Sequence, residues 1–270
     1  QVLLGLFLVL LGYGMRYVRW RMLMDALNQH PPIARDALIW ISSYAFTVTP
    51  GKSGEAIRAL LLKKEFAYPI SKSLMALLVE RISDVISVLV LLIINIPLLI
   101  GWKVSYIVPV TLLIVVGSLF WLFLQQQVFI NRLFRWIDLI LPRKFTTAGS
   151  HSVGALKELL KFKLLFLSTV IGTISWSLEG VSLWLLLKGL GTTKISIGGA
   201  TVAHTSAGLF GALTMIPGGL GSTEAGTIGI LGLQGLTVDL STPATLLIRL
   251  MTLWFATSLG VICLFCSDRR

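Results

Sequence analysis

Long apolar runs separated by short basic stretches dominate the chain. Runs of about 20 apolar residues are long enough to cross the hydrocarbon core as helices. Five such runs are predicted, over 2–17, 71–100, 104–124, 164–187 and 245–266. Two further apolar runs, 36–48 and 197–216, each stop at a Pro-Gly pair, Pro50-Gly51 and Pro217-Gly218, and resume over 53–62 and 222–235. Proline and glycine at membrane depth free backbone groups that only protein or a wet cavity can satisfy. Each broken run is therefore predicted to be a re-entrant hairpin: a helix in, a turn near mid-membrane, a helix out. Two kinked or full-length spans are the alternative.

The elements repeat. Helix, hairpin, helix covers about 1–100 and recurs over about 164–266, with the span 104–124 between them turning the second unit upside down. The two breaks echo each other, Pro50-Gly51-Lys52-Ser53-Gly54-Glu55 against Pro217-Gly218-Gly219-Leu220-Gly221-Ser222-Thr223-Glu224. The predicted fold is an all-α polytopic membrane protein. It forms a single transmembrane domain over 1–270, an inverted repeat of helix–re-entrant hairpin–helix units joined by one extra span. No linker or low-complexity stretch divides it. Inverted repeats with broken helices are a transporter architecture, with the binding site at the repeat interface near the midplane.

Composition agrees with this class: 55% of residues are hydrophobic and 13% charged, which excludes a soluble domain. The net charge of +11 is explained by topology. Lys and Arg concentrate in cytoplasmic loops. With hairpins that return to their own side, sixteen Lys and Arg fall in segments on one side, among them Arg16, Arg19, Arg21 and Arg35 after the first helix. The other side receives three, Lys103, Lys188 and Lys194. The expected location is the cell membrane, multi-pass, with the C-terminus cytoplasmic. The cytoplasmic segment 125–163 is basic and amphipathic: Leu133, Phe134, Trp136, Ile137 and Leu141 face lipid while Arg132, Arg135 and Asp138 face water, and "ALKELLKFK" is a second such piece. Such helices bind anionic lipid surfaces, so that surface is an expected partner and nucleic acid is not. The chain opens on Gln1, as a fragment or processed chain would, and no small-residue cleavage site marks a signal peptide. Cys263 and Cys266, i and i+3 in the last helix, are expected to pack rather than to bond or bind metal.

The chemistry concentrates where the apolar pattern breaks. In "TVTPGKSGEAIRALLLKK" the "GKS" triplet suggests a phosphate-binding loop, but that motif needs a glycine where Phe46 stands. The loop is rejected. A helix that begins near mid-membrane instead offers free N–H groups and its dipole to an anion. Ser53 or Gly51 would cap the first such helix and Ser222 the second, and Lys52 adds a positive charge to the first. Glu55 and Glu224 lie in the first turns, as caps, as proton carriers or as counter-charges to a basic head group. Glu80, Arg81 and Asp84 interrupt the span 71–100; Glu80 and Asp84, four apart, share a face, and Arg81 points elsewhere. Arg58, Glu179 and Arg249 stand alone in apolar surroundings. Ionisable residues in a membrane are costly and face partners or a wet cavity. His204 is expected to be a satisfied polar residue at a helix contact. No metal-ligand cluster, nucleophile–base pair or cofactor motif is found, so neither a cofactor nor an enzyme activity is expected.

Three motifs, "TPGKSGEAIRALLL", "ERISD" and "IPGGLGSTEAG", resemble the signatures of the lysylphosphatidylglycerol synthase transmembrane region, the flippase-like membrane domain that translocates lipid in bacterial multiple peptide resistance factors and also occurs alone. The resemblance covers essentially the whole chain. It carries over Pro50, Gly51, Gly54, Glu55 and Arg58 in the first motif. Glu80, Arg81 and Asp84 match the second, and Pro217, Gly218, Gly219, Gly221 and Glu224 the third. Thr223 stands where the family often has a basic residue, a departure that bears on the head group. No acyltransferase domain follows Arg270, so a complete lysyl-lipid synthase is not expected. The resemblance implies a flippase for an anionic, aminoacylated or polyprenyl-phosphate-linked lipid. Lys52, Ser53, Glu55, Arg58, Glu80, Arg81, Asp84, Ser222, Glu224 and Arg249 would line its path. A homo-oligomer or a separate lipid-modifying enzyme is the expected protein partner. The alternatives are an ion-coupled carrier of a small anionic solute and a non-transporting assembly subunit.

Overall fold

The computed structural model describes residues 1–100 and 149–268. The expected span 104–124, the stretch around Arg132 and Trp136, the terminal Arg269 and Arg270 and the Lys52 side chain lie outside the described residues. Helices and short turns make up the described chain, with no strand among the described residues.

The first long helix, α1 (Val2–Ala26), does not stop at Tyr17 but continues for 25 residues. It ends where Asn28 turns left-handed (φ 54°) before Pro31 and Pro32, which disfavour helix at the preceding residue. Arg16, Arg19 and Arg21 are therefore helical residues, not loop charges, and Arg19 is 2% exposed. They drop out of the charge count that oriented the chain. Their place inside the protein is tolerated because each finds a carboxylate: Arg21 meets Asp36 at 3.3 Å, and the partners of Arg16 and Arg19 are described below.

A short α2 (Ile33–Ser42) runs into a 3₁₀ turn at Ser43–Phe46, and a second 3₁₀ segment, Pro50–Ala56, precedes α3 (Ile57–Phe66). The α-helix after the first break thus starts at Ile57 rather than Ser53; Pro50, Gly51 and Gly54 hold the intervening residues in the tighter turn. The 31-residue α4 (Ile70–Ile100) follows directly. After the undescribed stretch come α5 (Gly149–Leu159) and α6 (Phe162–Gly189). Next is α7 (Ile197–Leu213), whose Ser196 cap accepts the Gly199 N–H at 3.0 Å. A break at Pro217–Gly219 leads to α8 (Ser222–Leu233). The chain then rises through α9 (Val238–Arg249), a π-turn at Leu250–Trp254 and α10 (Phe255–Asp268). Among the described residues helix–break–helix therefore occurs twice, at 33–66 and 197–233.

Among the described residues, three helices are long and apolar enough to cross a membrane: Val2–Ala26, Phe162–Gly189 and Val238–Cys266. On α1 a row of large apolar side chains, Leu3, Phe7, Leu10, Leu11 and Val18, is exposed, as a lipid-facing surface requires. The inward faces are held by small and hydroxylic residues, the usual glue between membrane helices. Ser175 on α6 donates to the Gly12 carbonyl on α1 at 3.1 Å. Between α4 and α6, Ser168 donates to Ser83 at 2.9 Å and Ser87 to the Thr169 carbonyl at 2.9 Å.

The two halves interlock. α7 packs on α4 and α6, while α2 and the Ser43–Phe46 turn pack on α10. At that second crossing Gly260 lies against the Tyr44–Ala45 backbone, and a Cβ there would sit 2.3 Å from the Ala45 nitrogen. The amphipathic α5 turns Ala155, Leu156 and Leu159 into the protein core, against α4 and α1. Its apolar face is thus covered by protein rather than by the lipid expected of it, because α4 and α1 offer apolar partners at closer range.

Candidate functional site

The first break is tied by Thr49. This residue is extended, donates through Oγ1 to the Phe46 carbonyl at 2.8 Å and accepts the Gly54 N–H at 2.6 Å. Gly54 is packed so tightly that a Cβ would lie 2.6 Å from the Phe46 oxygen and 2.8 Å from Thr49 Cγ2. Gly54→Ala is therefore expected to destabilise the protein by about 1–3 kcal/mol, the usual cost of forcing atoms into a filled site. Thermal unfolding in detergent measures it, and an unchanged melting temperature would mean that the turn relaxes freely. Ser53 is exposed and is not a cap: Thr49 stands at the cap position of the 3₁₀ segment, and Ala56 at that of α3.

The second break needs glycine for another reason. Gly218, Gly219 and Gly221 all sit at positive φ (62°, 62° and 80°), where other residues are strained. The carbonyl of Gly218 is met by Arg249 Nη2 at 2.6 Å, while Arg249 Nε reaches Glu224 Oε1 at 2.6 Å. Glu224 Oε2 in turn accepts the Gly221 N–H at 2.7 Å. Glu224 is thus both a helix cap and an ion-pair partner, and Arg249 is not alone. Ser222 is not the cap; it donates to the Gly219 carbonyl at 3.1 Å and meets Thr214 at 3.0 Å. The two breaks touch: the Pro50–Ala56 segment packs against Pro217–Gly219, with Val48 beside Gly218.

Next to the first break the charged residues form one network. Arg58, 2% exposed, reaches Glu80 at 2.9 Å and Glu55 at 3.2 Å, and its guanidinium stacks 4.5 Å from the Trp20 ring. Thr47 donates to Glu55 at 3.1 Å. Arg81 bonds Glu55 and lies 3.4 Å from Asp84. Asp84 also binds Arg19 at 2.8 Å, and Glu80 lies 3.9 Å from Arg19. The shared face of Glu80 and Asp84 is therefore real, and Arg19 is what it faces. Arg81 turns partly back toward Asp84 rather than wholly elsewhere.

A second centre adjoins the first. Glu179 on α6 binds Arg16 of α1 at 2.7 Å and His204 of α7 at 2.8 Å. Glu179 is thus not solitary, and His204 is a satisfied residue at a helix contact, as its sequence setting predicts. Trp176 lies between, 5.1 Å from the Arg16 guanidinium and 5.8 Å from the His204 ring.

One cavity joins the two centres. Arg16, Arg19, Arg58 and Arg81 line it with Glu55, Glu80 and Asp84, closed by Trp40, Tyr44 and Trp176. Its volume is about 20 Å³, room for a water molecule and too little for a lipid head group. Around it the buried Nε–H groups of Arg16, Arg19 and Arg58 and the indole N–H groups of Trp40 and Trp176 have no hydrogen-bond acceptor. Glu224 and Arg249 line the second break rather than this cavity.

The residues 1–260 match the family described as the lysylphosphatidylglycerol synthase transmembrane region. The matched stretch includes both breaks and every charged residue of the two centres described above. Two UPF0104 membrane proteins of Methanothermobacter thermautotrophicus are similar to the chain. One is 25% identical over 239 residues, covering 82% of this chain and 70% of the relative. The other is 20% identical over 271 residues, covering 91% and 77%. A UPF0104 membrane protein of Pyrococcus horikoshii is 24% identical over 287 residues, 96% of this chain and 84% of the relative.

Proposed function

The chain belongs to the lysylphosphatidylglycerol synthase transmembrane-region family, and on that footing we propose that it is a lipid transporter, not an enzyme. It carries an anionic, aminoacylated or polyprenyl-phosphate-linked lipid head group across the membrane while the acyl or prenyl tails stay in lipid. The two helix–break–helix units act as inverted re-entrant repeats meeting at the Pro50 and Pro217 breaks, with the C-terminus in the cytoplasm.

One observation carries this reading. Five buried N–H donors without acceptors surround a single cavity lined by four arginines. Buried donors left without acceptors are costly, and an acceptor-rich anion such as a phosphate would satisfy them. The carboxylates beside them suit a head group that carries both signs. Charges held among membrane helices are expensive, and apolar residues would stabilise the fold as well, so the network is better accounted for by function than by stability. The cavity is too small for a head group, so transport requires α1, α4 and the first break to separate. Arg81, 35% exposed, is the first cation an entering phosphate would meet.

A carrier of a small anionic solute is the second reading, favoured by the small size of the cavity. Purified protein in liposomes separates the two. Dye-labelled phosphatidylglycerol, lysyl-phosphatidylglycerol, phosphatidylethanolamine and a polyprenyl phosphate are tested for exchange between leaflets. At least one anionic or aminoacylated lipid is expected to exchange faster than in empty liposomes. Exchange of none, with uptake of inorganic phosphate instead, would replace the lipid by a soluble anion.

A further inference from the structure

The Arg16–Glu179–His204 cluster lies outside the motifs that mark the family, yet it joins three helices and reaches the cavity. Glu179 Oε1 meets Arg16 Nη2 at 2.7 Å and Glu179 Oε2 meets His204 Nε2 at 2.8 Å. Glu179 is 3% and His204 7% exposed. An ionised carboxylate can only accept, so Nε2 of His204 carries a hydrogen, and Nδ1 is the nitrogen left to take or release a proton. Arg16 is shared: its Nη2 lies 2.7 Å from Glu179, its Nε is buried without an acceptor, and its side chain lines the cavity.

We propose that His204 and Glu179 form a proton-binding site and that Arg16 links its occupancy to the anion cavity, which makes the transporter proton-coupled. The inference rests on the lipid-transport reading for its cargo. A proton enters at His204 Nδ1, and the imidazole becomes an imidazolium; no other bond is made or broken. Glu179 then faces two cations where it faced one. Its hold on Arg16 weakens, and Arg16 turns its guanidinium to the phosphate in the cavity. One proton and one phosphate charge enter together, so the loaded site gains no net charge, as a low-dielectric path demands. When the proton leaves, Glu179 reclaims Arg16 and the anion is released. Thermodynamic reciprocity requires the anion to tighten proton binding equally.

The other titratable groups around the pair do not replace this role. Tyr13 on α1 donates to the Thr252 carbonyl of the π-turn. Asp84 on α4 is engaged by Arg19 and Arg81, and Glu55 at the first break by Arg58 and Arg81. Tyr44, beside the break, lies within electrostatic reach of Arg16. Glu224, the one charged residue in the sequence of α8, is held by Arg249.

Two measurements on the full chain test the proposal. The chain has three histidines, His30, His151 and His204, so histidine-labelled protein with H30Q and H151Q gives a single imidazole NMR signal. In detergent without lipid, that signal is expected to report a single protonation step as pH is varied, and inorganic phosphate is expected to move its midpoint upward. In proteoliposomes, exchange of dye-labelled phosphatidylglycerol is expected to rise as pH falls, up to about tenfold per unit, the limit for one coupled proton. H204Q is expected to abolish that slope. E179Q, which releases Arg16 at any pH, is expected to give a flat profile at the higher rate, and it serves if H204Q does not fold. An imidazole whose charge state does not change with pH while the protein stays folded, or a midpoint indifferent to phosphate, overturns the proton site. A slope that persists in both variants overturns the coupling. If no lipid exchanges at all, the transport reading fails, and the phosphate-dependent midpoint still decides the proton site.

Discussion

Arg58→Ala is expected to lower stability by about 3–5 kcal/mol, the cost of leaving a buried carboxylate without its partner. Glu80 would keep only Arg19, at 3.9 Å, in place of the 2.9 Å contact it loses. Glu55 fares better, because Arg81 and Thr47 remain bound to it. The loss also empties the stacking position against Trp20, so packing fails along with charge. From the sequence alone the same change looks harmless to folding, since an arginine in an apolar run is expected to face a wet cavity. At 2% exposure its guanidinium is instead packed on Trp20 and two carboxylates, beside a cavity with room for no more than a water. Thermal unfolding in detergent measures the effect. Adding Glu80→Gln to Arg58→Ala is expected to restore part of the stability, because the double variant buries no orphan charge. A single variant within about 0.5 kcal/mol of the parent, the usual range for surface changes, would mean that water already fills the network.

Much of the site was legible because its signals are local. Pro50-Gly51 and Pro217-Gly218 interrupt apolar runs, and the chain turns at both. Glu80 and Asp84 are four apart, and one arginine does face them. Other parts depend on partners that no spacing reveals. Glu179 and His204 are 25 residues apart on different helices, so each looks isolated until α6 and α7 are packed. Arg249 and Glu224 also lie 25 residues apart. Arg16 and Arg19 were missed for a different reason. Counting positive charges assigned every arginine after the first apolar run to a loop. Yet Tyr13, Trp20, Leu23 and Met24 are buried at helical spacing on both sides of them, and that period was available as a sign that the helix continued. The start of α3 was displaced because a 3₁₀ turn and an α-helix leave the same mark in composition over seven residues.

Arg81→Gln is expected to separate transport from folding, which Arg58 cannot do. Arg81 side-chain exposure is 35%, and both of its carboxylates keep another partner: Glu55 has Arg58, and Asp84 has Arg19. No buried charge is orphaned, so the change is expected to cost at most about 1 kcal/mol, as for other half-exposed pairs. Its effect on transport is expected to be larger. A guanidinium at the cavity mouth offers a planar fork that matches phosphate, and removing such a charged partner from a desolvated contact costs about 2–5 kcal/mol of binding. In the proposed transporter that becomes a loss of lipid exchange on the order of thirtyfold or more. Arg81→Lys keeps the charge without the fork and is expected to fall between. Exchange of dye-labelled phosphatidylglycerol in proteoliposomes, alongside melting in detergent, gives both numbers from one preparation. A glutamine variant that melts like the parent and exchanges lipid at the parental rate would take Arg81 off the path. The entry would then lie at the other charged break, where Arg249 and Glu224 hold the Gly218 carbonyl and the Gly221 N–H.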